Sequence, residues 1–330
     1  MVMNGKVAQI LAVMAALLAL LAASQVGAQS ENYPTRPIRF VVANSPGGGL
    51  DITARAIGPK LANALGQQFI IDNRAGAAGS LAAEIVAKSV PDGYTVLMGS
   101  IGNMAVNPHL YKGLGYQPIN DLAPVTYAVS GSNVLVVNLS VPVKTVRELI
   151  DLAKAQPGKL SYGSSGAGNA GHLAGELFKS MAKIDMVHIP YKGGAPAMID
   201  LIAGQVQLIF SSAPTAIPQV KGGKIRALAV TTLKRSALLP ELPTIAESGL
   251  PGFEADNWYG IAVAARTPRV IVNRLNAEMV RALNTPDVNQ LLFGQALEVS
   301  TGTPEAFGVY MKSEYEKWGK VIRDAGVASI

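Results

Sequence analysis

The sequence contains no cysteine, few aromatic residues and only three histidines among its 330 residues. The absence of cysteine excludes disulfide bonds, a thiol nucleophile and a lipid-modified N-terminal cysteine. Aromatic residues make up 6% of the chain and the charged residues are scattered, so the sequence does not indicate a surface that stacks nucleic-acid bases. We therefore expect no nucleic-acid partner. His109, His172 and His188 are far apart in sequence, which argues against a metal site built from them.

A hydrophobic run long enough to span a membrane is also missing. The run from Ile10 to Ala23 is shorter than the roughly 18 residues of a spanning helix. It follows Lys6 and precedes the small residues Val26-Gly27-Ala28, a pattern typical of a cleaved secretory signal peptide. We predict a signal peptide over residues 1–28 and a secreted mature chain, with a retained membrane anchor as the alternative.

What the sequence does contain is one pattern, a strand followed by a Gly-rich loop and a helix, that occurs twice. In the first half the strand IRFVVA (38–43) precedes Pro46-Gly47-Gly48-Gly49, and in the second half KLSYGSS (159–165) precedes GAGNAG (166–171). Strands and helices continue to alternate after both loops. This order predicts an α/β fold with mainly parallel sheets flanked by helices.

Two such units predict two lobes, whose loops face each other across a cleft, because open α/β sheets bind ligands outside the carboxyl ends of their strands. We place lobe 1 at residues 29–127 and 252–330 and lobe 2 at residues 128–251, joined by two crossing segments. The C-terminal helices, which follow Thr267-Pro268 and Thr303-Pro304, are expected to pack on lobe 1. One long doubly wound sheet is the alternative that the length permits.

The Gly-rich loops supply what a bound anion needs. A helix N-terminus leaves N–H groups unpaired and carries partial positive charge, and glycine lets a ligand oxygen approach the backbone. Asp51 would repel an anion if it faced the cleft, so we interpret it as capping its helix or bracing its loop. A cleft-facing Asp51 would instead require a ligand with an ammonium group. Side-chain donors at the same strand ends are Ser45, Ser164, Ser165, Asn169, Ser211 and Ser212.

Four further residues are open to two interpretations each. Arg74 and Lys192 follow matching second strands and are the cations nearest the predicted cleft. Each is explained as well by an ion pair that braces a loop as by contact with a ligand. Trp258 and Tyr259 either form the floor of the cleft or fill a hydrophobic core.

Motifs for catalysis are weak. GAGNAG (166–171) fits a dinucleotide fingerprint, but Asp185 lies before the next strand rather than at its end. No Gly-Lys pair is followed by Ser or Thr, and residues 163–166 lack the G-x-S-x-G spacing of a hydrolase. His172 and Glu176 lie one helical turn apart, but two ligands do not make a metal site, and a capping or packing role for His172 is simpler. We predict no catalysis, no cofactor and no metal.

Several motifs together resemble the Bug family, the periplasmic solute receptors of tripartite tricarboxylate transporters. The resemblance covers the whole mature chain. It implies a two-lobed, Venus-flytrap fold of the periplasmic-binding-protein type without catalysis. The motifs are S-P-G-G-G-x-D (45–51), I-D-N-R-x-G-A-x-G (71–79), S-S-G-x-G-x-x-G-H-L-A-G-E-L-F (164–178), H-I-P-Y-K-G-G-A-P-A (188–197), L-P-T-I-A-E-S-G-L-P-G-F (242–253) and W-Y-G (258–260).

The resemblance also implies a site and a function. In the family a ligand carboxylate is gripped by backbone and small polar groups of the two loops, with bridging waters. Departures are Ala167, where many relatives have a polar residue, Asn169, where Ser or Thr is usual, and Ala264-Ala265-Arg266, where a Pro-Ala-Gly-like turn is common. The predicted ligand-binding residues are Ser45, Gly47, Gly48, Gly49, Asp51, Ser164, Ser165, Gly166, Ala167, Gly168, Asn169 and Ser211.

We therefore predict a monomeric periplasmic receptor that captures a small organic acid and delivers it to the membrane subunits of a tripartite transporter. A secreted hydrolase or transferase on a similar scaffold is one alternative, and a ligand-presenting sensor subunit is another. Dicarboxylates, tricarboxylates, aromatic acids and amino acids all remain open as ligands, because a pocket lined by backbone specifies a carboxylate without specifying the rest of the molecule.

Overall fold

A computed structural model describes Met14, residues 33–236 and residues 239–324. The predicted signal peptide, apart from Met14, lies outside the described residues. The strands form one six-stranded and one five-stranded sheet. They are β1 (Ile38–Val42), β2 (Phe69–Asn73), β3 (Thr95–Ser100), β4 (Leu122–Gly131), β5 (Asn133–Asn138), β6 (Ser161–Ser164), β7 (Val187–Pro190), β8 (Leu208–Ser212), β9 (Ile225–Val230), β10 (Asn257–Ala264) and β11 (Leu297–Val299).

Helices cover both sheets. The α-helices are α1 (Gly49–Leu65), α2 (Ser80–Ala87), α3 (Asn107–Leu110), α4 (Pro118–Asp121), α5 (Val146–Ala155), α6 (Ala170–Ala182), α7 (Gly194–Ile202), α8 (Ala213–Lys221), α9 (Arg269–Leu283), α10 (Pro286–Phe293) and α11 (Pro304–Asp324). A 3₁₀ turn (Ala77–Gly79) precedes α2, and a π-helical turn (Gly102–Val106) precedes α3. No helix in the described ranges is both long and apolar enough to cross a membrane.

The two sheets confirm the two-lobed fold but differ in one detail from the prediction of mainly parallel sheets. The first sheet has the order β11-β4-β10-β3-β1-β2 and the second has the order β7-β6-β8-β5-β9. The strands β1, β2 and β3 are parallel, as are β6, β7 and β8. The strands β4, β5 and β10 pair antiparallel to their neighbours. Each sheet is therefore mixed, because the strands that lead across between the lobes run against the repeated units.

The chain crosses between the sheets twice. It leaves the first sheet at Gly131, enters the second at Asn133, and returns between Val230 and Asn257. The predicted lobe boundary after residue 127 falls inside β4, whose buried residues continue the first sheet. We propose that the lobes are joined at Ser132 and in the segment between β9 and β10, which shifts the first boundary by a few residues.

Each lobe packs its helices onto its own sheet through buried apolar side chains. In lobe 1, Trp258 is fully buried against Phe307 and Tyr310, so β10 is held to α11 as the expected packing of the C-terminal helices requires. In lobe 2, separate cores lie on the two faces of the sheet, one including Phe178 and the other Met198. Helices on both faces leave the carboxyl ends of the parallel strands free to face the other lobe.

Candidate functional site

A cleft between the lobes is lined by residues of both sheets. None of the described residues that line it is charged. Most carry a hydroxyl or amide, and the rest are apolar or glycine. Lobe 1 contributes Asn44, Leu50, Ser100, Asn257 and Tyr259, and lobe 2 contributes Asn133, Ser164, Ser165, Asn169, Ala170, Gly171, Gly194, Ala197, Ile209, Phe210, Ser211, Ser212 and Thr215.

Four helices begin at this cleft. First-turn residues of α1, α6, α7 and α8 all line it, with Leu50 from α1 and Gly194 from α7 as examples. No side chain caps the first N–H groups of any of these four described helices. In α8, Ala213 N donates to Ser132 O and Pro214 has no N–H, so this helix offers fewer donors than the others. The remaining first-turn N–H groups and the positive ends of the helix dipoles favour an anion between the lobes.

The loop before α1 is braced by Asp51 through charge. The Asp51 carboxylate accepts hydrogen bonds from Gly47 N at 2.9 Å, from Arg55 Nε at 2.9 Å and from Asn73 Nδ2 at 3.0 Å. Asn73 Nδ2 also donates to Asn44 O at 3.1 Å, which fixes the end of β1. Burial by itself would raise the pKa of Asp51, but the hydrogen bonds from Arg55, Gly47 and Asn73 outweigh it and lower that pKa. Asp51 thus makes the bracing contacts that the sequence favoured.

The loop before α6 is braced by uncharged groups instead. His188 Nε2 lies 2.7 Å from Ser164 Oγ, and His172 Nδ1 accepts a hydrogen bond from Gly168 N at 3.0 Å. The His172 and His188 rings stack with centroids 4.1 Å apart, and Tyr162 stacks on the other side of His188 at 4.8 Å. His172 therefore packs and positions the loop, as the sequence indicated.

Burial keeps both rings neutral. It lowers the pKa of His172 to about 4 and that of His188 to about 3, and the neighbouring ring lowers the His188 value further. A neutral His172 leaves Nδ1 free to accept from the backbone, which a protonated ring could not do. At neutral pH the second loop is therefore held without any net charge beside the cleft.

The predicted ligand-binding residues divide into two groups in the structure. Ser164, Ser165, Asn169 and Ser211 line the cleft. The others flank it, and Asn44 and Leu50 provide the lining on the first loop. The flanking residues are Ser45, Gly47, Gly48, Gly49, Asp51, Gly166, Ala167 and Gly168.

Residues 166–168 face lobe 1 across the closed cleft. Tyr111 donates a hydrogen bond from its hydroxyl to Ala167 O at 2.5 Å. A side chain on Gly166 would meet the backbone of Ala78 at 3.2 Å, and one on Gly168 would overlap the Asn107 amide. Gly168 has φ +92°, a conformation that only glycine adopts without strain. This part of the second loop therefore forms contacts between the lobes.

The residues that the sequence left open are now placed. Arg74 pairs with Asp72 at 2.8 Å, and neither Arg74 nor the exposed Lys192 lines the cleft. Trp258 fills the core of lobe 1, and its Nε1 donates to Glu314. Tyr259 lines the cleft and lies against Gly49, where any larger side chain would overlap its hydroxyl. Adjacent aromatic residues of one strand thus serve opposite faces of the sheet.

Sequence reasoning missed several polar lining residues. Asn44 and Ser100 follow β1 and end β3 at the expected sheet edge, so the strand-end rule that found Ser45 could have found them. Asn133 and Asn257 open β5 and β10 at the two crossings. No motif marks this pair, because two crossings distant in sequence bring them together. In the described ranges, no cluster of three or more His, Cys, Asp or Glu could hold a metal ion.

Comparison with known proteins identifies this architecture. The model of the tripartite tricarboxylate transporter family receptors (TctC) matches residues 53–327. The chain belongs to this receptor family. The resemblance to Bug proteins is confirmed by BugT of Bordetella pertussis, which is 33% identical over 90% of this chain and 91% of its own length.

Solved structures of relatives give the same result for the fold. A protein of R. palustris solved with adipate is 40% identical, covers 90% of this chain and 100% of its own, and superposes with a TM-score of 0.88. MatC from Rhodopseudomonas palustris, solved with malate, is 31% identical over 88% of this chain and 100% of its own, with a TM-score of 0.84. This chain therefore has the same fold as these solved relatives, and its cleft lies between the two lobes of that fold.

Proposed function

We propose that this receptor closes its two lobes on a small organic acid in the periplasm and presents the acid to the membrane subunits of a tripartite transporter. The observation that carries the proposal is the convergence of four helix N-termini without side-chain caps on a cleft whose described lining includes no charged side chain. Such a cleft offers a carboxylate many donors and no counter-ion.

Neutral donors suffice for a carboxylate. Hydrogen bonds to a charged oxygen contribute roughly 1.5–3 kcal/mol each. Ser165 and Thr215 add hydroxyl donors to the backbone N–H groups around the same space. Three or four such bonds offset the cost of ordering the ligand and closing the lobes. Closure then removes water, which strengthens every remaining electrostatic interaction.

The same lining argues against an amino acid as ligand. A buried ammonium group needs a carboxylate or several acceptors beside it. Asp51 is the acidic residue closest in sequence to the first loop, and both of its oxygens are engaged by Gly47, Arg55 and Asn73. We therefore propose an acid without an amino group. The adipate and malate found with two relatives are acids of this kind.

A serine–histidine pair is the observation that would favour a hydrolase. Ser164 lines the cleft, and its Oγ lies 2.7 Å from His188 Nε2. Burial lowers the pKa of His188 to about 3, which makes the ring a weak base at neutral pH. The ring is stacked between His172 and Tyr162, and no described carboxylate bonds to it in the way that orients a catalytic histidine. We propose that the pair positions the loop.

A thermal-shift screen of residues 29–330 tests the function. The panel contains dicarboxylates, tricarboxylates, aromatic acids, monocarboxylates and the α-amino analogue of each. A ligand at 100 times its Kd adds about 2.7 kcal/mol of stability, which raises Tm by several degrees. We expect at least one acid to shift Tm, with its amide and its amino analogue inactive.

Two controls make the screen decisive. Mass spectrometry of the denatured protein detects an acid that co-purified and already fills the cleft, and its unchanged mass after incubation distinguishes binding from turnover. A preference for the amino analogues would contradict the neutral-cleft argument. An empty protein that no acid stabilises would contradict the receptor proposal itself.

A further inference from the structure

The second Gly-rich loop meets lobe 1 at a seam beside the cleft. On the lobe 2 side the seam consists of residues 166–169. On the lobe 1 side it is formed by Ala78, Gly102, Asn107 and Tyr111. None of these four residues lines the cleft. The contacts across the seam therefore join one lobe to the other rather than to a ligand.

A hydrogen bond from a side chain of lobe 1 crosses the seam. The Tyr111 hydroxyl donates to the Ala167 carbonyl at 2.5 Å. Tyr111 directly follows α3, and its backbone N donates to Asn107 O at 2.9 Å, so the residue is held on lobe 1. Because the acceptor belongs to lobe 2, this bond forms when the lobes close and must break when they separate.

The rest of the seam is a close fit of backbone on backbone. A β-carbon on Gly102 would lie 3.0 Å from Asn169 Oδ1 and 3.1 Å from Gly168 O, both in lobe 2. A β-carbon on Gly168 would overlap Asn107 Oδ1, which is buried without a hydrogen-bond partner among the described residues. Closure keeps water from this acceptor, and the Tyr111 hydrogen bond offsets part of that cost.

The seam is coupled to the cleft through Asn169. This residue lines the cleft, and its Oδ1 also lies against Gly102 of lobe 1. A ligand in the cleft and the closed seam therefore order the same side chain. Each then favours the other, because coupling between two binding events is reciprocal.

We propose that Tyr111 is a positioning residue that retains the ligand by holding the two lobes together. Its hydroxyl stabilises the closed receptor by donating to the Ala167 carbonyl and makes no contact with the ligand. The hydrogen bond therefore slows release of the acid and leaves its association with the open receptor unchanged. This inference rests on the proposed function, because it assumes that the lobes close on an acid.

The variant Tyr111→Phe keeps the ring and removes the hydroxyl that crosses the seam. Stopped-flow fluorescence and isothermal titration, with adipate and malate as the probes, compare it with the wild type. We expect dissociation to be about 5-fold faster, as the loss of one net hydrogen bond implies, with unchanged association. The Tm without ligand should not change, because the bond is absent when the lobes separate. Tyr94→Phe removes a hydroxyl that accepts from Thr35 N at 2.8 Å within lobe 1, and both rates should stay unchanged.

The variant Gly102→Ala tests the seam without touching Tyr111. Gly102 lies in a helical turn and has no positive φ, so alanine fits the backbone of lobe 1, whereas its methyl group meets Asn169 and Gly168 of lobe 2. We expect an affinity loss of about 10-fold from this overpacking. Gly58→Ala on α1 adds the same methyl group at an ordinary 3.8 Å from Ile71, and affinity should not change.

Two results would overturn the inference and leave the receptor proposal intact. One is an unchanged dissociation rate in Tyr111→Phe. The other is a lower Tm without ligand and an unchanged Kd, which would make Tyr111 a structural residue of lobe 1. If neither adipate nor malate binds the wild type, the acid selected by the thermal-shift screen replaces them. A screen in which no acid binds contradicts the proposed function and this inference together.

Discussion

The two loops that face the cleft have similar glycine patterns and are held by opposite chemistry. The first is braced by an ionised network of Asp51, Arg55 and Asn73. The second is braced by the neutral, stacked rings of His172 and His188, which hold Gly168 and Ser164. Each scheme fixes backbone N–H groups around the cleft.

The difference shows how the molecule keeps the cleft itself uncharged. In lobe 1 the charge of Asp51 is neutralised by Arg55. The Arg55 side chain is 55% exposed, so one partner of the ion pair is in contact with solvent. In lobe 2 His172 is buried and His188 is partly buried, and no described carboxylate pairs with either ring. A protonated ring there would lack the partner that Arg55 gives Asp51, so the absence of a counter-ion favours neutral imidazoles. An anionic ligand then meets oriented dipoles in both lobes.

As the pH falls, the two histidines of the second loop should lose their contribution to stability before Asp51 of the first loop does. This is the largest effect that we expect. Between pH 7 and pH 5 the unfolded histidines bind protons with a pKa of 6.5, whereas the native rings stay neutral because their pKa values are about 4 and about 3. The unfolded state therefore binds more protons, and stability falls as the pH falls below 6.5. The loss at pH 5 is about 2 kcal/mol for each ring. The pKa of Asp51 is lowered instead, so its contribution persists until the pH falls below its unfolded value of 3.8.

The variant His188→Phe checks this assignment, because it keeps an aromatic ring between Tyr162 and His172. Urea unfolding at pH 7 and at pH 5 should show a loss of stability that is about 2 kcal/mol smaller in the variant than in the wild type. His109 is unchanged in both proteins, so its contribution cancels in this difference. A variant with the same pH dependence as the wild type would show that the buried ring does not titrate as we describe.

Removal of the charged brace should give the next largest effect. Asp51→Ala leaves Gly47 N and Asn73 Nδ2 without their acceptor and frees the first loop. We expect a loss of about 3 kcal/mol in the free energy of unfolding, together with weaker ligand binding. Unfolding curves and titrations with the acid found in the screen measure both.

A matched control separates this effect from a simple change of charge. Asp151→Ala removes an exposed carboxylate from α5 that does not line the cleft. It should leave both stability and affinity close to those of the wild type. If Asp51→Ala behaved like Asp151→Ala, the charged network would have no bracing role.

The smallest expected effect concerns the two cations that follow matching strands. Arg74→Ala removes a partner of Asp72, and Lys192→Ala removes an exposed charge. Neither side chain lines the cleft, so both variants should bind the acid within about 2-fold of the wild type, apart from weak long-range attraction that salt screens. A loss above 10-fold in either variant would mean that a cation completes the anion site in that lobe, which would contradict the neutral-cleft argument.

Local patterns predicted the secondary structure closely. The strand IRFVVA appears as β1, and the Thr-Pro pairs precede α9 and α11 as expected. These features depend on neighbours in sequence, such as an apolar run or the fixed φ of proline at a helix start. The mixed character of the sheets was missed, because the direction of β5 and β10 is set by the crossings rather than by their own residues.

The candidate site was predictable only where it follows a strand end. Ser164, Ser165 and Asn169 were found in this way, and the structure lines the cleft with them. Gly166, Ala167 and Gly168 lie in the same loop but face Ala78, Tyr111 and Asn107 of lobe 1, because one loop cannot present every residue to the same side.

The sequence alone determined that there are two α/β units, that each carries a Gly-rich loop before a helix, and that an anion suits those loops. These conclusions follow from periodicity, glycine placement and the dipole of a helix start, all of which are local. Tertiary structure decided which donors are unpaired and which are engaged. The carboxylate of Asp51, on α1, is engaged by the side-chain amide of Asn73 from β2. The side-chain oxygen of Asn133 accepts a hydrogen bond from Asn257, 124 positions away, whereas the side-chain nitrogen of Asn133 has no partner among the described residues. Whether a polar atom binds a ligand depends on what else reaches it, and only the folded chain sets those distances.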